Sequence, residues 1–223
     1  MRILAASDLH GNHAAYEWLA QTARKKSVSF IVLAGDLLGC PDGYDTLEAA
    51  QKADGVATLR ILEDAKTPIY FIMGNDDFVD LNPASGQFQS LHGRRVEAGC
   101  WNLVGYQYSL PFMGGVFEKR EEDIREDLLH LRAYVDNNTI FVSHSPAHGI
   151  LDQGIMDLNA GSQSILDLVR DRDVRAHIHG HIHRSFGRSG RHFNVAAGGQ
   201  CRAMLIDLET LEATIVQEYT GAA

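Results

Sequence analysis

Five short segments of the sequence end in side chains that bind cations or move protons: Asp8-Leu9-His10, Gly35-Asp36, Gly74-Asn75-Asp76-Asp77, Ser143-His144-Ser145-Pro146 and Gly180-His181-Ile182-His183. Aspartate offers an anionic oxygen, asparagine a neutral one and histidine a borderline nitrogen. A mixed set of this kind suits Zn²⁺, Mn²⁺ or iron ions without choosing among them. Asp8 and His10 are two residues apart, as are His181 and His183, which puts each pair on one side of an extended chain. Two cations about 3.5–4 Å apart lower the pKa of a shared water and clamp the attacking and leaving oxygens of an in-line displacement. Asp36, a carboxylate at a glycine-permissive turn, is suited to bridge them. Composition points the same way, with 11 histidines, four of them within Ala176–Arg184.

Residues so far apart in sequence meet only if the elements before them end at one place. Each motif follows an apolar segment. Arg2–Ala6, Ser29–Ala34, Ile69–Met73, Thr139–Ser143 and Val174–Ile178 read as strands, the first three separated by helical stretches over Ala14–Lys26 and Thr46–Asp64, with an expected break at Gly55. Apolar strands alternating with helices predict parallel pairing under a helical cover. In open sheets of that kind ligands bind at the carboxyl ends of the strands, so the five loops are expected to converge. Farther on, Trp101–Tyr108 reads as a strand and Glu118–Val135 as a helix whose Ile124, Leu128, Leu131 and Val135 pack a core. Ser162 reads as the N-cap of a helix over Ile165–Arg172. Short β segments follow at about Arg184–Arg188, His192–Ala196, Ala203–Asp207 and Ala213–Val216.

In order, residue type and approximate spacing the five segments resemble the calcineurin-like metallophosphoesterases, whose pattern is D-x-H, G-D, G-N-H-D/E, G-H or S-H, and G-H-x-H. The resemblance spans Asp8 to His183 and is specific only as a set, since Gly-Asp alone carries no information. It implies a four-layer α/β/β/α sandwich of two mixed β-sheets flanked by helices, formed by 1–223 as one domain. It also implies two divalent metal ions (Mn, Zn or Fe), one held by Asp8, His10 and His183, the other by Asn75, His144 and His181, with Asp36 bridging. The implied activity is hydrolysis of a small phosphoester by a metal-bridging hydroxide, a phosphodiester slightly ahead of a phosphomonoester, with Asp36, Asn75 and Asp76 at the reacting centre. A non-catalytic scaffold of the same fold is the alternative, and the presence of all seven ligand positions favours catalysis. One position departs from the pattern: Asp76 stands where many members have a His that serves the leaving group. Two nearby cations favour the charged form of a carboxyl group, which makes Asp76 a poor proton donor. His13, His148 and His179 are the nearest substitutes by sequence.

The remaining features narrow the class. Asp and Asn also cap helices and build turns, so each motif alone has an ordinary reading that the set of five displaces. His177 falls within an apolar segment and is expected to be structural, as are His92, His130 and His192. The 223 residues carry 20 Lys and Arg against 29 Asp and Glu, a formal charge of −9, which argues against nucleic acid as a partner. Cys40, Cys100 and Cys201 form no C-x-x-C pair, so neither a zinc knuckle nor a disulfide framework is indicated. Charge returns by Asp8, too early for a signal-peptide core, and no apolar run approaches the roughly 20 residues a bilayer span needs. A cytoplasmic protein without a membrane segment is expected. Specificity is expected from the loops Leu110–Lys119 and Ala147–Gly161.

Overall fold

The computed structural model describes residues 1–154 and 158–218, so residues 155–157 of the second specificity loop and 219–223 lie outside the described chain. Four strands, β1 (Arg2–Ala6), β2 (Phe30–Ala34), β3 (Ile69–Ile72) and β4 (Phe88–Ser90), pair in parallel in that order. Beyond β1 the sheet is extended by β11 (Arg202–Asp207) and β12 (Ala213–Gln217), each antiparallel to its neighbour. A second sheet runs β5 (Arg95–Ala98), β6 (Trp101–Tyr106), β7 (Thr139–Ser143), β8 (Ala176–His179), β10 (His192–Asn194) and β9 (Gly187–Ser189). Its β6, β7, β8 and β10 are parallel, and the edge strands β5 and β9 are antiparallel.

Side-chain alternation along the strands creates the layers. In β1, Ile3 and Ala5 join Val32, Ile140, Val142 and Ile178 in a core between the two sheets. Leu4 and Ala6 face outward into a second core with Tyr16 and Leu19 of α1 (His13–Lys26) and Leu62 of α2 (Leu47–Leu62). On the far side Val104 and Phe141 pack with Ile124 and Leu128 of α3 (Glu121–Leu131) and with Ile165 and Val169 of α4 (Gln163–Asp171). The order α/β/β/α follows, as expected. Asn12 and Ser162 cap α1 and α4, accepting from the N–H groups of Ala15 and Ile165 at 3.2 Å each. No described helix is long and apolar enough to cross a membrane.

Several expected boundaries shift, each for a visible reason. Gly55 does not break α2; it is buried where a Cβ would come within 2.9 Å of Leu81, so it is there for close packing. The helix expected from Glu118 starts at Glu121, because Ser109 pairs with Phe117 and Lys119 through backbone hydrogen bonds of 3.1 and 2.9 Å. Past Leu131 it tightens into a 3₁₀ turn over Arg132–Tyr134. Strand β6 stops at Tyr106, which is paired with Ser143, the last residue of its neighbour β7. Arg184–Arg188 is split between a 3₁₀ turn, His183–Ser185, and β9. Strands β4 and β5 had no counterpart in the sequence reading.

On the helix side of the second sheet lies a histidine pair, the buried His177 and the half-buried His192. Ser143 Oγ donates to the Ser145 carbonyl at 2.6 Å and therefore accepts from His177 Nε2 at 2.7 Å. His177 Nδ1 is left as an acceptor for His192 Nδ1–H at 3.0 Å. Burial pushes His177 well below the usual histidine range, and burial together with Arg191 lowers His192 to about 4. An unfolded histidine titrates near 6.5, so between these values the unfolded chain binds more protons. The stability these residues contribute is therefore present above about pH 6.5 and is lost as pH falls. Chelator-treated protein is expected to lose stability to urea between pH 7 and pH 5, and His192→Gln to lose about 1–2 kcal/mol less over that interval. Identical losses in the two proteins would refute the assignment.

Candidate metal centre

The five motifs occupy loops at the carboxyl ends of β1, β2, β3, β7 and β8, which bring them to one end of the two sheets. Their backbones turn sharply. Asp8, His10, Asp36 and His181 all have left-handed φ, at 57°, 47°, 51° and 71°, a region that costs most L-residues about 1–2 kcal/mol. Asp and His are among the side chains that enter it more readily. Glycine makes the room: a Cβ on Gly35 would come within 2.5 Å of His144 Nδ1, and one on Gly180 would strike Ser7 and Asp8.

The side chains gather into two adjoining groups. Asp8, His10 and His183 form one and Asp36, His144 and His181 the other, and within each group the ligand atoms all lie within 4.8 Å of one another. In the first, His183 Nε2 is 3.1 Å from Asp8 Oδ1 and 3.4 Å from His10 Nε2. In the second, His144 Nε2 is 3.3 Å from Asp36 Oδ2 and 3.0 Å from Asn75 Oδ1, which brings Asn75 into the set. All seven expected ligands are thus brought together.

The surroundings fix which atoms are presented. His144 Nδ1 donates to the Ala34 carbonyl at 2.8 Å, so its Nε2 faces the group. His10 Nδ1 lies 3.1 Å from Asp76 Oδ2, which likewise presents Nε2. Asp36 Oδ1 accepts the Asp76 N–H at 2.8 Å. Both oxygens of Asp8 accept from the His181 N–H, at 3.2 and 3.0 Å, and Ser7 Oγ lies 2.5 Å from Oδ2. Histidines that donate through one nitrogen and offer the other are the usual form of metal-ligating imidazole. Two imidazole nitrogens facing each other at 3.4 Å need a proton or a cation between them. The residues fit a pair of divalent cations.

Charge is balanced by the same contacts. Burial works to raise the Asp8 carboxyl, but the hydrogen bond from His183, the charge on His144 and the Ser7 hydroxyl hold it at about 2. Burial likewise opposes a charge on His144, yet Asp36 and Asp8 raise it to about 10. His181 is lowered to about 4 by burial and by His144. Behind the ligands, burial and the Asp36 charge push Asp77 up to about 8, against the pull of backbone N–H donors. Asp77 accepts from Leu37, Leu38 and Gly74 at 2.9, 2.8 and 2.8 Å and so ties the β2 and β3 loops together.

Of these residues His10, Asp36, Asn75, His181 and His183 line a cavity of about 720 Å³ whose other walls include Phe112, Met113, Leu158, Ile182 and Arg184. None of the three histidines considered as substitute acids lines it. His13 is paired with Asp54 at 2.8 Å, His148 is exposed, and His179 is buried with Nδ1 towards the Gly180 carbonyl. Sequence reasoning missed Ser7, Asp77 and Gln51 as supports. Gln51 donates to the Asp76 carbonyl at 2.8 Å and accepts from Phe78 N–H at 2.6 Å. The third acid of Asn75-Asp76-Asp77 was the available signal for Asp77; nothing in a mid-helix glutamine marks Gln51.

Two layers of sheet between helices, with Asp, Asn and His ligands at the strand ends, define a metallophosphoesterase-type fold and site. A family profile described as calcineurin-like phosphoesterase matches residues 1–185, and the chain belongs to that family. Similar solved structures include the protein TT1561 of Thermus thermophilus, at 18% identity and a TM-score of 0.70, covering 97% of this chain and 98% of that one. A dimetal phosphatase from Danio rerio is similar at 13% identity and a TM-score of 0.61, with 97% and 98% covered. These likenesses are of fold. No curated protein matches the chain.

Metal content checks the two groups separately. Mn²⁺ added to chelator-stripped protein is expected to reach about two equivalents per chain by equilibrium dialysis, the count a binuclear site requires. His144→Ala is expected to retain about one of these equivalents. Near-zero uptake by the unsubstituted protein would refute the metal assignment.

Proposed function

We propose that the chain hydrolyses a small phosphoester at two divalent cations, one held by Asp8, His10 and His183, the other by Asn75, His144 and His181, with Asp36 shared. The observation that carries this reading is the pair of three-residue ligand groups meeting at the floor of one open cavity. When bound, such a pair supplies an activated water and neutralises phosphoryl oxygens, and Mn, Zn and Fe each suit these donors. The protein's own part is to hold the ligands fixed. Ala34 orients His144, Asp76 orients His10, and Ser7 with the His181 N–H anchors Asp8. Preset geometry of this kind spares the reaction the cost of arranging its charges.

A diester fits better than a monoester. Among the described lining residues Arg184 is the only Lys or Arg, and one cavity wall is apolar, which suits a substrate with a single negative charge and two organic groups. The net charge of −9 favours a small substrate over nucleic acid. Cys40, Cys100 and Cys201 are free thiols, in keeping with a reducing compartment such as the cytoplasm.

The test is a panel of mono- and diesters assayed with Mn²⁺, Zn²⁺ and Fe²⁺ separately. Asp36→Asn is expected to lower kcat/KM by more than about a hundredfold, beyond the 10–100-fold typical of an outer hydrogen-bond partner; a near-normal rate would exclude Asp36 from the centre. Because Asp76 faces His10 and, among the described residues, no histidine outside the proposed ligand set lines the cavity, the leaving group receives little help from a general acid. Rates across aryl diesters are therefore expected to fall steeply as leaving-group basicity rises. A flat series would show that a proton donor is present after all.

A further inference from the structure

The loop before Glu118 exposes large apolar side chains where a soluble protein ordinarily hides them. Phe112 is 60% exposed and Met113 69%, and both line the cavity that holds the ligand groups. Isolated exposed hydrophobics need no explanation, but adjacent ones aimed into a cleft mark a binding surface.

The loop is built to hold them there. The Glu118 carboxylate accepts the backbone N–H groups of Phe112, Met113 and Gly114 at 2.9, 2.8 and 2.9 Å. Successive N–H groups converging on one anion fix a turn without help from a sheet. Gly114 has a left-handed φ of 82°, and Gly115 lies so close to the Asn75 carbonyl that a side chain there has no room. Asn75 is one of the ligand residues, so the loop is pinned against the centre itself. The Phe112 ring meets His181 edge-on, with ring centroids 5.5 Å apart, which leaves a ring face for another flat group. On the same cavity surface Ile182 continues the apolar lining.

Resting on the hydrolase reading above, we infer that Phe112 and Met113 form a specificity wall for phosphoesters carrying a flat, uncharged aromatic group close to the phosphorus, and that Glu118 is the positioning residue that holds this wall. Polar sugar phosphates gain nothing from such a surface. An aromatic ring gains apolar burial and the offset or edge-to-face contacts that rings prefer.

Binding and turnover test the two readings apart. Phenylphosphonate and methylphosphonate share a head group and resist hydrolysis; each is titrated calorimetrically into metal-replete protein. The phenyl compound is expected to bind about tenfold more tightly, the scale of partial burial of one ring. Phe112→Ala and Glu118→Gln are each expected to reduce that preference to under about threefold, Phe112→Leu to keep most of it, and Leu129→Ala, on an exposed face of α3, to keep all of it. Equal binding of the two phosphonates, or a preference that survives Phe112→Ala combined with Met113→Ala, overturns the wall. In parallel, the phenyl and methyl esters of p-nitrophenyl phosphate, which release the same leaving group, are compared for turnover. A phenyl preference in binding with no turnover of either ester supports the wall and overturns the hydrolase reading. Turnover of both esters with no phenyl preference in either measurement does the reverse.

Discussion

Asp8, Asp36 and Asp77 are brought together with almost no contact with solvent, at 0%, 4% and 0% relative exposure. Carboxylates crowded together out of water are unfavourable unless other groups offset their charge. The arrangement holds only if positive charge and N–H donors are supplied from within. His144 does the first, raised to about 10 by the very carboxylates it offsets, and the backbone N–H groups of Leu37, Leu38, Gly74, Asp76 and His181 do the second. A protonated His144 and divalent cations are alternative answers to one electrostatic demand. Cation binding at such a site therefore releases protons.

Holding these groups so close requires a backbone that most sequences avoid. Four left-handed residues, at about 1–2 kcal/mol each, approach the lower end of the net stability of a typical domain, about 5–15 kcal/mol. That strain is tolerable because it sits at the rim of a stiff frame. The strands that lead into the loops are buried on both faces, as β2 shows with all five residues buried, and three cores press on them. Each fully buried Leu, Ile or Phe contributes about 1.5–3 kcal/mol, so a few side chains per strand offset a turn's distortion. The parallel arrangement also decides where the strain falls, since parallel strands end together and their following loops share one space.

The same frame explains what could be read from the sequence. The parallel strands are uninterrupted apolar runs, and each motif directly follows one, so Asp8, Asp36, Asn75, His144 and His181 marked both the strand ends and the place where the structure gathers them. Helix α3 was legible through Ile124, Leu128 and Leu131, but its start was not. The tie between Ser109 and Phe117–Lys119 is a contact between residues eight or more apart, invisible to helical periodicity. Strands β4 and β5 are edge elements of three and four residues, too short for alternation to stand out and dependent on neighbours for their pairing. Gly55 was misread because a glycine that interrupts a helix and one that admits Leu81 look alike without the partner. Phe112 and Met113 had no periodic signal, since their placement comes from the Glu118 carboxylate and from Gly115 against Asn75.

Asp76 shows how one residue type can redirect a shared site. Where the resembled pattern has His, this chain has a carboxylate whose oxygen meets His10 Nδ1 at 3.1 Å. Its backbone is fixed from both sides, the N–H by Asp36 and the carbonyl by Gln51, each at 2.8 Å. A carboxylate on the far nitrogen of a ligating histidine fixes the tautomer and raises the ligand's basicity, so on the two-cation reading proposed above this position would support a cation ligand. The gain has a chemical consequence. Among the described residues no histidine outside the proposed ligand set lines the cavity, so on that reading an alkoxide would depart without a proton from a histidine. A phenolate-type oxygen departs far more readily, because the ring delocalises its charge. The apolar wall of Phe112 and Met113 and the carboxylate at Asp76 are separated by 36 residues of sequence, yet on the function proposed above both would favour an aromatic ester, one by contact with a ring and the other by withholding an acid.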